Sequence, residues 1–245
     1  MFVAGLCGQL CTLNSAQAAP ALRFLVDEHG DMVLFGNSAA FDCRAGIPAP
    51  IVGTVGTCGA NTTDSAPDVL WRSDDTAGSA QADTSITVPG SRTSAVFRLP
   101  TGAVVLYARL YWAAQVDLAA TPNPTVTFER PGGFSRTVTA DNNRGTAVVD
   151  NGLRYYQSTA DVTADIQASG TGLYRVGAID TLNRTDLNQS VDFVAWTIVV
   201  FYRLNSEPTR NLALFDGLDR VATGAPANAT LSGFLVPAAG FDAEA

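Results

Sequence analysis

The chain has 245 residues, 47% hydrophobic and 16% charged, with a formal net charge of −8; a sequence this long and this apolar buries a substantial core and is not intrinsically disordered. All 15 basic residues are arginine and 19 of the 23 acidic residues are aspartate, a balance that argues against nucleic-acid binding, which needs a concentrated basic surface. A single histidine, His29, excludes sites that require two, and four cysteines without a Cys-x-x-Cys spacing argue against a zinc ribbon or a thioredoxin-like site.

Residues 1–18 carry no charge. Their apolar character is concentrated in Phe2-Val3-Ala4-Gly5-Leu6-Cys7, reaches Leu10 and Leu13, and gives way to Ala16-Gln17-Ala18. This small-x-small ending reads as a secretory signal peptide over 1–18 with cleavage after Ala18, although the usual positive n-region is missing. Cleavage would remove Cys7 and Cys11. An exported chain would keep Cys43 and Cys58, expected to pair as a disulfide; the alternative is two buried free thiols. The bond would close a short loop, contributing about 3 kcal/mol if unstrained. It would tie down a long loop near 43–82, dense in Gly, Thr, Ser, Asp and Ala and broken by Val69-Leu70-Trp71.

Past the signal the apolar stretches are short, β-branched and aromatic, with almost no helical periodicity. Strands are expected at 22–26, 32–35, 85–88, 94–99, 103–113, 125–129, 135–139, 146–149, 153–157, 173–179, 191–203, 211–215 and 230–236. Turn signals separate them: Pro89-Gly90, Pro100-Thr101-Gly102, Pro131-Gly132-Gly133, Asn151-Gly152 and Asp216-Gly217. Many strands with short Gly/Pro turns predict an all-β fold, an antiparallel two-sheet β-sandwich of the jelly-roll kind, over 19–245 as a single domain. In 103–113 the face Val104, Leu106, Ala108, Leu110 and Trp112 is wholly apolar and is expected in the inter-sheet core; Val105, Tyr107, Arg109 and Tyr111 form the other face. After Asp192 the stretch 193–203 has no polar face, which predicts a central strand covered on both sides, with Trp196 inside. One short helix is expected within 158–167, with Asp161 capping its first turn and Gly170 ending it. The chain stops at Phe241-Asp242-Ala243-Glu244-Ala245 directly after a strand pattern, as a piece of a longer protein would.

Searching for chemistry yields no catalytic residues. No Gly-x-Ser-x-Gly elbow is present, and His29 in His29-Gly30-Asp31 reads as a surface turn histidine. Gly170-Thr171-Gly172 lacks the following helix and the Lys-Ser/Thr pair of a phosphate loop. The closest carboxylate pairs are Asp74-Asp75, Asp161/Asp165 and Asp216/Asp219. Aspartate suits both Asx turns and hard-cation sites. Asp74, Asp75, Asp216 and Asp219 are therefore the candidate ligand or calcium residues, with solvated turn aspartates as the default because no Asp-x-Asp-x-Asp-Gly loop is present. Calcium is the one cofactor the sequence suggests.

Four fragments in order carry a family resemblance: Leu106-Tyr107-Ala108-Arg109-Leu110-Tyr111-Trp112-Ala113, Thr159-Ala160-Asp161-Val162-Thr163-Ala164, Trp196-Thr197-Ile198-Val199-Val200-Phe201-Tyr202, and Arg210-Asn211-Leu212-Ala213-Leu214-Phe215-Asp216-Gly217. Together they resemble the N-terminal β-sandwich module of secreted bacterial surface proteins, found ahead of adhesin-type repeats and cell-wall anchors. From Gly36-Asn37 through Val69-Leu70-Trp71-Arg72-Ser73-Asp74 the chain is more narrowly similar to myxobacterial adventurous gliding motility surface proteins. The resemblance implies a secreted or cell-surface, non-enzymatic interaction or structural module serving adhesion or gliding. Its partner would be an extracellular protein or polysaccharide. The alternative is a lectin-like carbohydrate-binding sandwich, calcium-assisted, using Tyr107, Tyr111, Tyr155 and Asp216. No apolar run is long enough to cross a membrane: the longest, 193–202, falls far short of the ~20 residues a spanning helix needs.

Overall fold

The computed structural model describes residues 20–41, 69–73, 80–82, 86–141, 148–150, 152–182, 193–218 and 232. In chain order its elements are β1 (Ala21–Ser38), β2 (Ala40–Phe41), β3 (Val69–Ser73), β4 (Ala80–Ala82), β5 (Arg92–Phe97), β6 (Val104–Asp117), β7 (Thr125–Glu129), β8 (Ser135–Thr139), β9 (Val148–Asp150), β10 (Leu153–Asp161), α1 (Thr163–Ser169), β11 (Gly172–Gly177), β12 (Val194–Arg203) and β13 (Thr209–Asp216). They form two sheets. The six-stranded one runs β13-β1-β12-β6-β10-β9, and the seven-stranded one runs β2-β3-β5-β11-β7-β8 with β4 on β3. Pairing is antiparallel except where β3 meets β5 at Arg72 opposite Arg92. The chain crosses repeatedly between sheets, as in the sandwich expected from the strand spacing.

The core lies between the sheets. From one side β6 contributes Ala108, Leu110 and Trp112, and β12 contributes Trp196, Ile198 and Val200; from the other come Phe97, Val126, Phe128, Tyr174 and Val176. Phe35 of β1 stacks on Phe97 at 5.0 Å, and Phe128 stacks on Tyr174 at 5.8 Å. Trp196 spans the gap, its indole Nε1 donating to Thr93 Oγ1 of the facing sheet at 2.8 Å. A buried indole N–H requires such a partner.

The expected face of β6 holds only in part. Ala108, Leu110 and Trp112 point inward, but Val104 is 50% exposed and Val105 is buried in the core. The reason is a bulge: opposite Phe201 stands Tyr107, but opposite Tyr202 stands Val105, so Leu106 is the extra residue and the alternation inverts below it. Helix α1 seals this end. Thr163 Oγ1 accepts from the Ala108 N–H, Gln167 Nε2 donates to the Val105 carbonyl, and Ile166 is fully buried. The helix starts later than expected because residues 158–161 continue β10. Asp161 still accepts the Thr163 N–H at 2.9 Å, and Gly170 ends the helix at φ 60°.

Where two strands and a turn were expected at 22–35, the structure has one strand that doubles back. Residues 30–38 pair with β12, from Gly30 opposite Arg203 to Ser38 opposite Ala195. Residues 21–29 pair with β13, from Ala21 opposite Asp216 to His29 opposite Thr209. Arg23 binds Asp216, which also accepts from Tyr111; Tyr111 stands opposite Thr197, and Thr197 opposite Gly36. Arg23 therefore lies over the part of the sheet that contains Gly36. In a straight strand those two residues would be about 43 Å apart at about 3.3 Å per residue. The fold-back centres on buried Gly30, where a Cβ would come 2.0 Å from the Tyr202 carbonyl oxygen. Residues 21–29 and β13 thus form a two-stranded ribbon that folds over the outer face of β12 and β6, strands of the same sheet.

This third layer explains the stretch 193–203, apolar on both faces. Val194, Trp196, Ile198 and Val200 face the main core, while Val199 and Phe201, with Tyr111, lie under the ribbon and pack against its Leu212. The strand expected at 85–88 is replaced by a 3-10 turn at Val88–Gly90. The signal peptide and nearly all of the expected strand at 230–236 fall outside the described residues.

Candidate functional site

The ribbon closes over a patch that is half aromatic and half charged. At one end Phe24 stacks on Tyr107, centroids 4.5 Å apart and planes 4° from parallel, with Phe201 at 5.1 Å. At the other end Asp216, on the last turn of the ribbon ladder, accepts Arg23 Nε at 2.6 and 2.7 Å on its two oxygens and the Tyr111 hydroxyl at 2.9 Å. Between them lies Arg109, only 4% exposed. Its Nη1 donates to Tyr107 Oη at 3.0 Å, its Nε stands 3.8 Å from Asp216, and its Nη2 pairs with Asp141. Asp161 lies opposite it on β10.

Elementary alternation built this patch. Tyr107, Arg109 and Tyr111 are successive residues on one face of β6, the face that the sequence reading left for solvent. The bulge between Leu22 and Phe24 turns Arg23 toward the same surface. Burying a guanidinium requires a carboxylate with matched hydrogen bonds, and Arg109 has that in Asp141 and Asp216. Burial alone would lower its pKa; the hydrogen bonds it donates to Tyr107 and Asp141 outweigh that and hold it above the ordinary arginine value. Burial, reinforced by the adjacent Asp216 carboxylate, pushes the Tyr111 phenol well above the usual range. Tyr107 is also raised by burial, with Arg109 opposing. At neutral pH both phenols are therefore neutral, Tyr111 donating to Asp216 and Tyr107 accepting from Arg109.

A second, simpler cluster sits on the seven-stranded sheet. Arg175, 4% exposed, reaches Ser94 Oγ at 3.3 Å and Glu129 at 3.6 Å, and Arg92 approaches the same Glu129 oxygen at 3.8 Å.

Among the candidate ligand residues, Asp216 is the one the structure describes, and its oxygens face two guanidinium groups and a phenol. Asp74, Asp75, Asp219 and the pair Cys43 and Cys58 lie outside the described residues. No cluster of three or more His, Cys, Asp or Glu side chains forms among the described residues. Of the aromatics named for sugar stacking, Tyr111 is buried and Tyr107 is covered by Phe24; Tyr155 is partly buried on β10 opposite Gln115. Sequence reasoning missed Arg23 and Asp141. Arg23, a lone charge inside an apolar strand, was the available signal.

His29 makes one suggestive contact. Its Nδ1 lies 2.8 Å from the Glu207 carbonyl and its Nε2 3.1 Å from Thr209 Oγ1. With Nδ1 donating to the carbonyl, Nε2 would accept the hydroxyl proton, the first half of a nucleophile–base arrangement. Both side chains are exposed on the ribbon, in contact with water, which suits a surface hydrogen bond better than an activated nucleophile.

The chain matches no protein-family model, no curated protein and no solved structure.

Proposed function

We infer that the chain is a non-enzymatic, extracellular interaction or structural module of a bacterial surface protein, acting in adhesion or gliding. The observation that carries this reading is the outward surface of β1. Leu22 is 46% exposed, Leu25 40%, Met32 40% and Leu34 57%. Leu22 and Leu25 on the ribbon, and Met32 and Leu34 on the sheet strand from which it folds, offer apolar side chains to a partner. The charged groups support the same reading, because Arg109, Arg23 and Asp216 are engaged with one another and with Tyr111 in structural pairs. Export is supported by the uncharged N-terminal stretch ending in Ala16-Gln17-Ala18. The partner is an extracellular protein or polysaccharide.

The test is adsorption of purified protein to washed cells of the producing strain and to their extracellular polysaccharide. Wild type is compared with Leu34→Glu and Leu25→Glu. The reading requires saturable binding that the charged variants lose without a change in melting temperature. Absence of binding, or full binding by both variants, would count against it.

A further inference from the structure

The ribbon is attached to the sandwich in an unusual way. Its underside, Phe24, Val26, Leu212 and Leu214, rests on Tyr107, Tyr111, Val199 and Phe201, in a cluster separate from the main core. Its backbone ladder is continuous with that of the sheet, since the Leu204 N–H donates to the His29 carbonyl at 2.8 Å just beyond the Gly30–Arg203 pair. Lifting it requires backbone changes at Gly30 and in the connection 204–208, and leaves the seven-stranded sheet and the pairing of residues 30–38 with β12, β6, β10 and β9 intact.

We propose that this ribbon is an exchangeable arm, and that its partner is the same outer face on a second copy of the chain. An arm lifted without replacement would expose the rings of Tyr107 and Phe201 and leave Arg109 and Tyr111 without Asp216. A partner has to supply an aromatic ring over Tyr107, a guanidinium and a carboxylate held together, and an apolar strand pair between them. Phe24, Arg23, Asp216, Val26, Leu212 and Leu214 are that set, in the spacing that fits. Reciprocal exchange between two copies rebuilds the closed interface twice, with the symmetry of a two-fold dimer. Among the described residues, the difference between closed monomer and exchanged dimer is then confined to the bend at Gly30 and the connection 204–208, to which the entropy of association adds. Gly30 bears that bend because any larger residue would meet the Tyr202 carbonyl.

Light scattering on the full chain tests this, after brief incubation of concentrated protein near its unfolding midpoint and return to low temperature. The exchanged arm predicts a discrete species of twice the chain mass. Its fraction should grow with concentration and persist after dilution, because dissociation requires the arm to leave. Phe24→Ala damages the arm and Tyr107→Ala the face, each as much in the closed monomer as in the exchanged dimer, so neither alone should change the dimer fraction. Mixing the two should raise it several-fold, because a heterodimer regains one undamaged arm on one undamaged face and loses one Phe24–Tyr107 stack where two monomers lose two. A chain that stays monomeric at every concentration overturns the proposal. So does a mixture of the two variants that forms no more dimer than either variant alone.

Discussion

Replacing Trp196 by alanine tests the sandwich at the point where its two sheets are joined. The side chain is 3% exposed, meets Phe35 edge-on at 6.2 Å, and donates from β12 to Thr93 on the facing sheet at 2.8 Å. Truncating a buried tryptophan costs about 3–5 kcal/mol in lost transfer energy and residual cavity. Leaving the Thr93 hydroxyl buried and unsatisfied adds about 1 kcal/mol. The sum, about 4–6 kcal/mol, is a large share of a domain's net stability of about 5–15 kcal/mol. For a domain of this size each kcal/mol shifts the midpoint by about 2–4 °C, so thermal unfolding followed by circular dichroism should show a drop of roughly 8–24 °C. Trp196→Phe keeps most of the ring and removes the hydrogen bond, and should cost about 1–2 kcal/mol. An unchanged midpoint in Trp196→Ala would mean that the indole is not core. A phenylalanine variant as damaged as the alanine variant would mean that packing is not what the residue supplies.

Asp216→Asn leaves Arg23 and Arg109 facing a neutral amide; because the side chain is nearly buried, urea unfolding should show a loss of about 1–3 kcal/mol. An unaltered denaturation curve would remove Asp216 from the account of the ribbon. Alkaline titration should find the phenols of Tyr111 and Tyr156 un-ionised until the protein unfolds, since burial, and then the neighbouring aspartates, raise both. The neutral form is favoured in the folded state, so their contribution is complete below the unfolded tyrosine pKa of about 10 and is lost as pH rises beyond it. Tyrosinate absorbance rising smoothly near pH 10 with the circular dichroism intact would contradict this. Gly172→Ala should cost about 1–3 kcal/mol by calorimetry, because a Cβ there meets Arg130 Nη1 at 1.8 Å and dislodges a guanidinium that holds the Thr171 and Leu173 carbonyls; a midpoint equal to wild type would show that the arginine simply moves aside. Thiol titration of the unfolded, unreduced mature protein should find Cys43 and Cys58 unreactive, and two reactive thiols would exclude their disulfide.

The fold was legible where local chemistry and global packing agree. The strands at Thr125–Glu129 and Ser135–Thr139 are bounded by Pro131-Gly132-Gly133, and the turn residues alone placed them. The doubly apolar run through Trp196 correctly announced a strand buried on both faces. What covers its outer face was not legible, because the cover is the ribbon, brought there by pairing between residues nearly two hundred positions apart in sequence. His29-Gly30-Asp31 looks like a turn for the same reason that it serves as a fold-back: glycine allows close backbone approach whether or not the ladder is interrupted. The bulge at Leu106 inverted half of a face that simple alternation had assigned, and only pairing to Tyr202 reveals it. For the site, alternation put Tyr107, Arg109 and Tyr111 together but left them facing water. Asp216 was picked out as a carboxylate able to hold a cation; it does hold cations, and they are the arginines of this chain.

The intact mass of the protein recovered from outside producing cells decides whether this sandwich is exported to act there as the binding module proposed above. A chain beginning at Ala19 is expected, without Cys7 and Cys11, its remaining cysteines oxidised to one disulfide and so lacking two hydrogens. A protein found only inside the cells, starting at Met1 with its thiols free, would contradict export.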